Sequence, residues 1–170
     1  APWNELGDRL IVNDDLFNWD DLPQSVAVFG PGVIGLELGQ ALHRLGVDTK
    51  VFGIGGAVGP LTDSAVRDYA ANALGEEFYL DADVKVEMMQ REGDRVFIRY
   101  RDLQGQPQEI LVDYVLAATG RRPNVDRLGL ENTGLQLDAR GVPLADRLTM
   151  QTSVPHIFIA RSEEHTSELQ

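Results

Sequence analysis

The fold of this chain is decided by residues 26–35, which read Val26-Ala27-Val28-Phe29-Gly30-Pro31-Gly32-Val33-Ile34-Gly35. The apolar run at the start is short and β-branched, as is typical of a buried parallel strand. Three glycines then follow at the spacing G-x-G-x-x-G, and apolar residues recur at helical spacing from Val33 onward. We therefore predict a strand over 25–29, a glycine turn, and a helix over 33–45.

The pattern continues as a βαβ unit, because Gly46 ends the predicted helix and residues 49–52 form a second strand. In that context each glycine has a physical reason. The first permits a tight turn, the second admits a pyrophosphate, and the third lets helix and strand pack closely. Free N–H groups and the helix dipole favour phosphates there. The predicted dinucleotide-binding residues are Gly30, Pro31, Gly32, Val33, Ile34 and Gly35.

The end of the second strand departs from the usual pattern. An acidic residue that reads the adenosine ribose is expected there, but the position holds Gly53. No arginine follows that could bind a 2′-phosphate. The choice between NAD and NADP therefore stays open, with NAD favoured because nothing offers a charge to the extra phosphate. We interpret the glycine-rich residues 53–61 as a flexible loop at the edge of the site.

The remaining pattern predicts an α/β fold, with a Rossmann-like parallel βαβ sheet and an antiparallel three-stranded meander as a crossover. Thr62 or Asp63 is a candidate N-cap for the second helix. The further predicted elements are a helix over 64–74, alternating strands over 84–88, 96–100 and 109–112, and apolar strands over 114–118 and 157–159.

Composition excludes several classes of function. The chain has 170 residues and a net charge of −12, with no basic run, which argues against a nucleic-acid or membrane partner. The absence of cysteine excludes disulfides, thiolate catalysis and Cys-ligated metals, and three scattered histidines suggest no metal site. There is no apolar stretch of about 18 residues and no signal pattern, so we expect a cytoplasmic protein.

Residues 161–170 break off from the apolar run before them and continue no visible element. They read Arg-Ser-Glu-Glu-His-Thr-Ser-Glu-Leu-Gln, which matches, codon by codon, the in-frame translation of a widely used sequencing-library adapter. We expect this tail to be non-native. The chain also starts at Ala1 without an initiator methionine, so we expect an internal fragment of a longer protein.

Two segments, residues 26–39 and 117–124, resemble the pyridine nucleotide-disulfide oxidoreductases, and within them the dihydrolipoyl dehydrogenases. The resemblance implies a homodimeric flavoenzyme that binds FAD and NAD and oxidises dihydrolipoamide through a pair of cysteines. It implies that residues 30–35 hold the pyrophosphate. It also places Glu37 beside the nicotinamide, Gly53 at the ribose, Val84 against adenine, and Gly120 where the cofactor approaches the Ala-Thr-Gly turn.

The predicted organisation follows from that resemblance. Residues 1–23 are a connector from an FAD domain, 24–124 the NAD(P)-binding domain, 125–160 a return segment toward the FAD domain, and 161–170 the adapter-derived tail. No catalytic or metal-binding residue is assigned, and the chain alone should not turn over dihydrolipoamide. The alternatives are the same domain of another flavoprotein disulfide reductase or a soluble transhydrogenase, or a stand-alone nucleotide-binding module.

Overall fold

The computed structural model describes residues 2–120 and 123–160. The tail over 161–170 and the two arginines before Pro123 lie outside the described residues. The chain divides into two compact units, Ala1–Gly120 and Arg121–Gln170.

Over its described residues, 2–120, the first unit contains two short 3-10 segments, two α-helices and eight strands. The 3-10 segments span Pro2–Arg9, with a kink at Gly7, and Asp15–Asn18. The helices are α1 (Val33–Arg44) and α2 (Ser64–Gly75). The strands are β1 (Leu10–Ile11), β2 (Ser25–Phe29), β3 (Asp48–Phe52), β4 (Tyr79–Asp81), β5 (Lys85–Glu92), β6 (Arg95–Arg101), β7 (Pro107–Val112) and β8 (Tyr114–Ala117).

Five strands form one parallel sheet in the order β1-β8-β2-β3-β4. Strand β2 lies at its centre, and Phe29 at its carboxyl end is in register with Phe52 of β3 and Ala117 of β8. The α/β fold predicted from the sequence is therefore confirmed. Two edge strands were not predicted. Strand β4 has three residues and β1 has two, so neither shows a periodicity that the sequence could reveal.

Strands β5, β6 and β7 form a separate antiparallel sheet in that order, which confirms the predicted meander. Its alternation is clearest in β6, where Val96, Ile98 and Tyr100 are buried and the residues between them are more exposed. One face of this sheet therefore belongs to a core.

The core of the first unit lies on both faces of the parallel sheet. On one face, Ala27 and Phe52 belong to a buried cluster with the inward residues of the meander. On the other face, Val28 and Val51 pack with Leu42 of α1. This arrangement gives three layers, the meander, the parallel sheet and the helices, and it fixes the carboxyl ends of β2, β3 and β8 side by side.

The described part of the second unit is irregular. It contains a 3-10 turn at Leu130–Asn132 and isolated antiparallel bridges. The strand predicted over 157–159 is reduced to one bridge between Gln151 and Phe158. Within residues 2–120 and 123–160, neither α-helix is long and apolar enough to cross a membrane.

Candidate functional site

The glycine turn lies at the carboxyl edge of the parallel sheet, between β2 and α1. Gly30 has a φ of 108°, and its N–H donates to the carbonyl of Phe52 at 2.8 Å. On the other side, the N–H of Ala118 donates to the carbonyl of Phe29 at 2.7 Å. A Cβ at Gly30 would overlap the carbonyl oxygen of Ala118. Only glycine fits here, because both the backbone angle and the close approach of the chain just after β8 exclude a side chain.

Two further glycines let α1 approach the sheet. A Cβ at Gly35 would overlap the carbonyl oxygen of Gly30, so the first turn of the helix packs directly on the glycine turn. Gly39, one helical turn later, would place a Cβ 2.7 Å from the Cγ2 atom of Val51 in β3. The sequence interpretation gave Gly39 no role. Gly39 lies four residues after Gly35, and residues i and i+4 share a helix face. This spacing could have indicated that both glycines face the sheet.

Gly32 has a different environment. It is the N-cap of α1 with a φ of −75°, and no protein atom lies within 4 Å of a Cβ built there. Neither packing nor backbone strain requires glycine at this position. The first helical hydrogen bond runs from the Leu36 N–H to the Gly32 carbonyl at 3.0 Å, so the N–H groups of residues 33–35 precede it. The helix start can therefore receive an anion that approaches the backbone closely.

Gly53, at the end of β3, is constrained by its neighbours. A Cβ there would lie 2.6 Å from both the carbonyl oxygen of Ala82 and the Cγ atom of Pro31. The Gly53 N–H also donates to the carbonyl of Asp81 at 2.7 Å. The sequence showed that the usual acidic residue is missing, and the structure gives the reason, because no side chain can be accommodated at this position.

The loop after Gly53, interpreted from the sequence as flexible, is hydrogen-bonded at several points. The Gly59 N–H donates to the carbonyl of Pro31 at 2.7 Å, and the Gly56 N–H donates to the carbonyl of Ala82 at 3.0 Å. Val58 is 1% exposed. The loop is thus attached both to the glycine turn and to the segment after β4.

The other predicted site residues lie in the same unit. Glu37 is exposed on α1. Val84 is 8% exposed and belongs to the core that faces the meander, while its N–H donates to the carbonyl of Gly53 at 3.0 Å. Gly120 has a φ of 118° and follows β8, with no protein atom within 4 Å of a Cβ built there. Core packing alone gives a reason for valine at position 84, and the predicted adenine contact stays a prediction.

Two carboxylates that the sequence interpretation missed lie beside Gly53. Asp81 is 4% exposed, and its Oδ1 atom accepts the Asp83 N–H at 3.0 Å. Burial raises the pKa of the Asp81 carboxyl, and the nearby charge of Asp83 acts in the same direction. Asp83 is exposed, and its Oδ1 atom accepts the Gly55 N–H at 2.7 Å. The sequence shows these carboxylates as Asp-Ala-Asp before the meander. Their position beside Gly53 could not be predicted, because it depends on the pairing of β4 with β3, and β4 was not predicted.

The fold and this edge place the chain in the class of Rossmann-like α/β domains, with a glycine-rich turn between the central strand and the following helix. The comparison with protein families is more specific. Residues 4–160 match the family described as pyridine nucleotide-disulphide oxidoreductase, and the chain belongs to that family.

Two of the curated relatives that this chain matches are dihydrolipoyl dehydrogenases. That of Geobacillus stearothermophilus is 34% identical over 163 residues, covering 92% of this chain and 33% of the relative. That of Chlamydia muridarum is 32% identical over 162 residues, covering 93% of this chain and 33% of the relative. The chain therefore spans about a third of the length of the curated relatives it matches.

Solved structures agree on the fold. LpdA from Mycobacterium tuberculosis is 27% identical with a TM-score of 0.71, over 89% of this chain and 32% of that one. The HOCl-induced flavoprotein disulfide reductase RclA from Escherichia coli is 22% identical with a TM-score of 0.73, over 89% of this chain and 34% of that one. At that identity the second comparison shows the fold alone.

Proposed function

We propose that this chain binds a nicotinamide dinucleotide at the glycine turn, as the nucleotide-binding part of a flavin-dependent dihydrolipoyl dehydrogenase. The observation that supports the proposal best is Gly32, whose missing side chain has no explanation in packing or in backbone strain. The space left in front of the α1 N-terminus suits a pyrophosphate. A bound nicotinamide ring supplies hydride transfer, and the residues of this chain hold and orient the nucleotide.

The proposed roles divide by position along the edge. Gly30 and Gly35 shape the turn, and the helix N–H groups after Gly32 bind the phosphates. Glu37 lies in the first turns of α1, where the nicotinamide would extend. Val84 and Gly120 are the proposed contacts at the adenine end and at the end of β8. Pro31, Val33, Ile34 and Gly53 complete the predicted set.

The organisation proposed around this site follows the relatives. Residues 24–124 form the nucleotide-binding domain, and residues 1–23 and 125–160 connect it to an FAD domain. The structure adds that Leu6 and strand β1 pack in the first unit. FAD, the redox-active cysteines and the dimer interface are proposed for the rest of the enzyme. NAD is the proposed nicotinamide cofactor, because residues 53–63 contain no lysine or arginine that could pair with the 2′-phosphate of NADP.

The proposal predicts that Gly32→Val abolishes nucleotide binding by the chain. The unmodified chain should bind NADH with a dissociation constant of about tens of micromolar to millimolar, because the flavin side of the pocket belongs to the rest of the enzyme. A valine side chain at position 32 would occupy the space of the pyrophosphate, and affinity should fall at least about tenfold. Titration calorimetry or NADH fluorescence measures this change.

Gly75→Val is the matched control for this substitution. Gly75 also has no protein atom within 4 Å of a Cβ and no positive φ, but it lies at the end of α2, before β4 begins. Its substitution should leave NADH binding unchanged. The proposal is wrong if the unmodified chain shows no binding up to about millimolar NADH, or if both valine variants bind as it does.

A further inference from the structure

The adenosine end of the proposed site contains a carboxylate, although not at the usual position. At Gly53 the ring of Pro31 and the carbonyl of Ala82 leave no room for a side chain. A domain of this class ordinarily reads the ribose hydroxyls with an acidic residue at the end of this strand. Any residue that takes over this task must therefore reach the edge from another segment.

The segment after β4 is held against the end of β3 by a ladder of hydrogen bonds. The N–H groups of Gly53 and Gly56 donate to the carbonyls of Asp81 and Ala82, at 2.7 and 3.0 Å. In the reverse direction, the Val84 N–H donates to the carbonyl of Gly53 at 3.0 Å. These bonds bring residues 81–84 alongside residues 53–56, at the same carboxyl edge as the glycine turn.

Asp83 is the exposed carboxylate of this ladder. Its Oδ1 atom accepts the Gly55 N–H at 2.7 Å, two residues past Gly53 in a loop whose Gly59 is bonded to Pro31 of the turn. A carboxylate has two oxygens and about four acceptor positions, so it can accept a ribose hydroxyl while keeping this hydrogen bond. The Asp83 carboxylate is thus held at Gly55. Gly55 lies two residues, or at most about 7 Å of chain, from the position that the usual acid would occupy.

The charges at this end disfavour an added phosphate. Residues 53–63 contain no lysine or arginine, and the buried Asp81 lies directly beside Asp83. Asp83 also occupies the N–H of Gly55, which would otherwise be a donor for a phosphate oxygen. The nearest cation along the chain, Lys85, opens β5 and is exposed. A dianionic 2′-phosphate next to Asp83 would meet a like charge with few donors to compensate it.

We propose that Asp83 is the specificity-determining residue of this site: it replaces the missing carboxylate at Gly53, accepts the adenosine ribose hydroxyls of NAD, and repels the 2′-phosphate of NADP. The inference rests on the proposed nucleotide binding at the glycine turn. It assigns the choice of cofactor to the loop between β4 and β5 instead of the end of β3.

The test is the substitution Asp83→Asn in the 170-residue chain, with dissociation constants measured for NADH and NADPH. Asparagine keeps an Oδ1 acceptor for the Gly55 N–H, so the loop should stay in place, and circular dichroism and thermal unfolding check this. The unmodified chain should bind NADH at least about tenfold more tightly than NADPH. The substitution should reduce that ratio about tenfold, mainly by improving NADPH binding.

Asp68→Asn is the matched control, because it removes the same charge from an aspartate on α2 whose side chain is 74% exposed. It should leave the NADH to NADPH ratio unchanged. Equal ratios in the unmodified chain and Asp83→Asn, or an unmodified chain that prefers NADPH, would overturn the inference while the nucleotide site stands. If neither nucleotide binds the unmodified chain, the proposed function fails and the inference fails with it.

Discussion

At the scale of single residues, two glycines of the same edge have opposite explanations. Gly53 is glycine because Pro31 and Ala82 fill the space around it, so the protein itself accounts for the missing side chain. Gly32 is glycine although nothing in the protein approaches it. The first observation explains why no acidic residue stands at the end of β3. The second supports the proposal that a ligand occupies this space. The sequence pattern could not separate these two reasons for a glycine.

Asp81 gives a prediction for the pH dependence of stability. Burial raises its pKa above the ordinary value of 3.8, so the folded chain holds this proton more tightly than the unfolded chain does. Stability therefore falls as pH rises from 3.8 through the raised pKa, and the loss persists at higher pH. Asp81→Asn removes this cost and keeps an acceptor for the Asp83 N–H, so it should raise the free energy of unfolding at about pH 7.

Urea unfolding of both proteins at about pH 7 and about pH 3 measures the effect. The gain from Asp81→Asn should be present at the higher pH and absent at the lower, where aspartate is protonated in both states. A gain of equal size at both values would show that the substitution acts through packing and not through the charge.

At the scale of elements, one carboxylate joins the starts of two neighbouring strands. Asp113, between β7 and β8, accepts the backbone N–H groups of Gln24 and Ser25 at 2.8 and 2.9 Å. It also forms an ion pair with Arg95 of β6 at 3.2 Å. The meander and the central strand β2 are therefore linked at the amino edge of the parallel sheet, opposite the proposed nucleotide site.

We expect Asp113→Ala to lower the free energy of unfolding by about 2–3 kcal/mol, because hydrogen bonds to a charged acceptor are stronger than average and two backbone donors lose their partner. Urea unfolding measures it, and Asp68→Ala, on the exposed face of α2, serves as the control and should change stability by less than about 0.5 kcal/mol. If the two alanine variants were equally stable, Asp113 would not have the linking role described here.

At the scale of the whole molecule, the parallel sheet uses its two faces for core packing and its carboxyl edge for the proposed site. Its two faces are covered by the meander and the helices, and its carboxyl edge gathers the glycine turn, the loop after Gly53 and the segment after β4. The chain contains no cysteine, so it has no thiol pair that could exchange with a disulfide. The chemistry proposed for this edge is to bind and orient a nucleotide.

We therefore predict that the purified chain does not oxidise dihydrolipoamide, even if it binds NADH. The assay follows NADH formation from dihydrolipoamide and NAD, with added FAD, and a full-length dihydrolipoyl dehydrogenase as positive control. The reason is the absence of a thiol pair to accept electrons from the substrate. Turnover above a reaction without protein would contradict the prediction.

Much of the fold was predictable because its signals are local. The apolar run over 25–29, the helical spacing after Val33 and the alternation of β6 each lie within a few residues, and the structure reproduces all three. Strands β1 and β4 were missed because they are too short for a periodicity and exist only through pairing with β8 and β3. The strand expected over 157–159 is only a bridge for the related reason that a local apolar run does not by itself provide a pairing partner.

The sequence by itself determined the glycine turn, the α/β class and the family resemblance, because these depend on residues close together along the chain. Only the tertiary structure decided what surrounds Gly53 and where Asp83 lies. The Asp83 carboxylate and the Gly55 N–H are 28 residues apart in sequence and 2.7 Å apart in space. The pairing of β3 with β4 creates that proximity, and no local pattern encodes it.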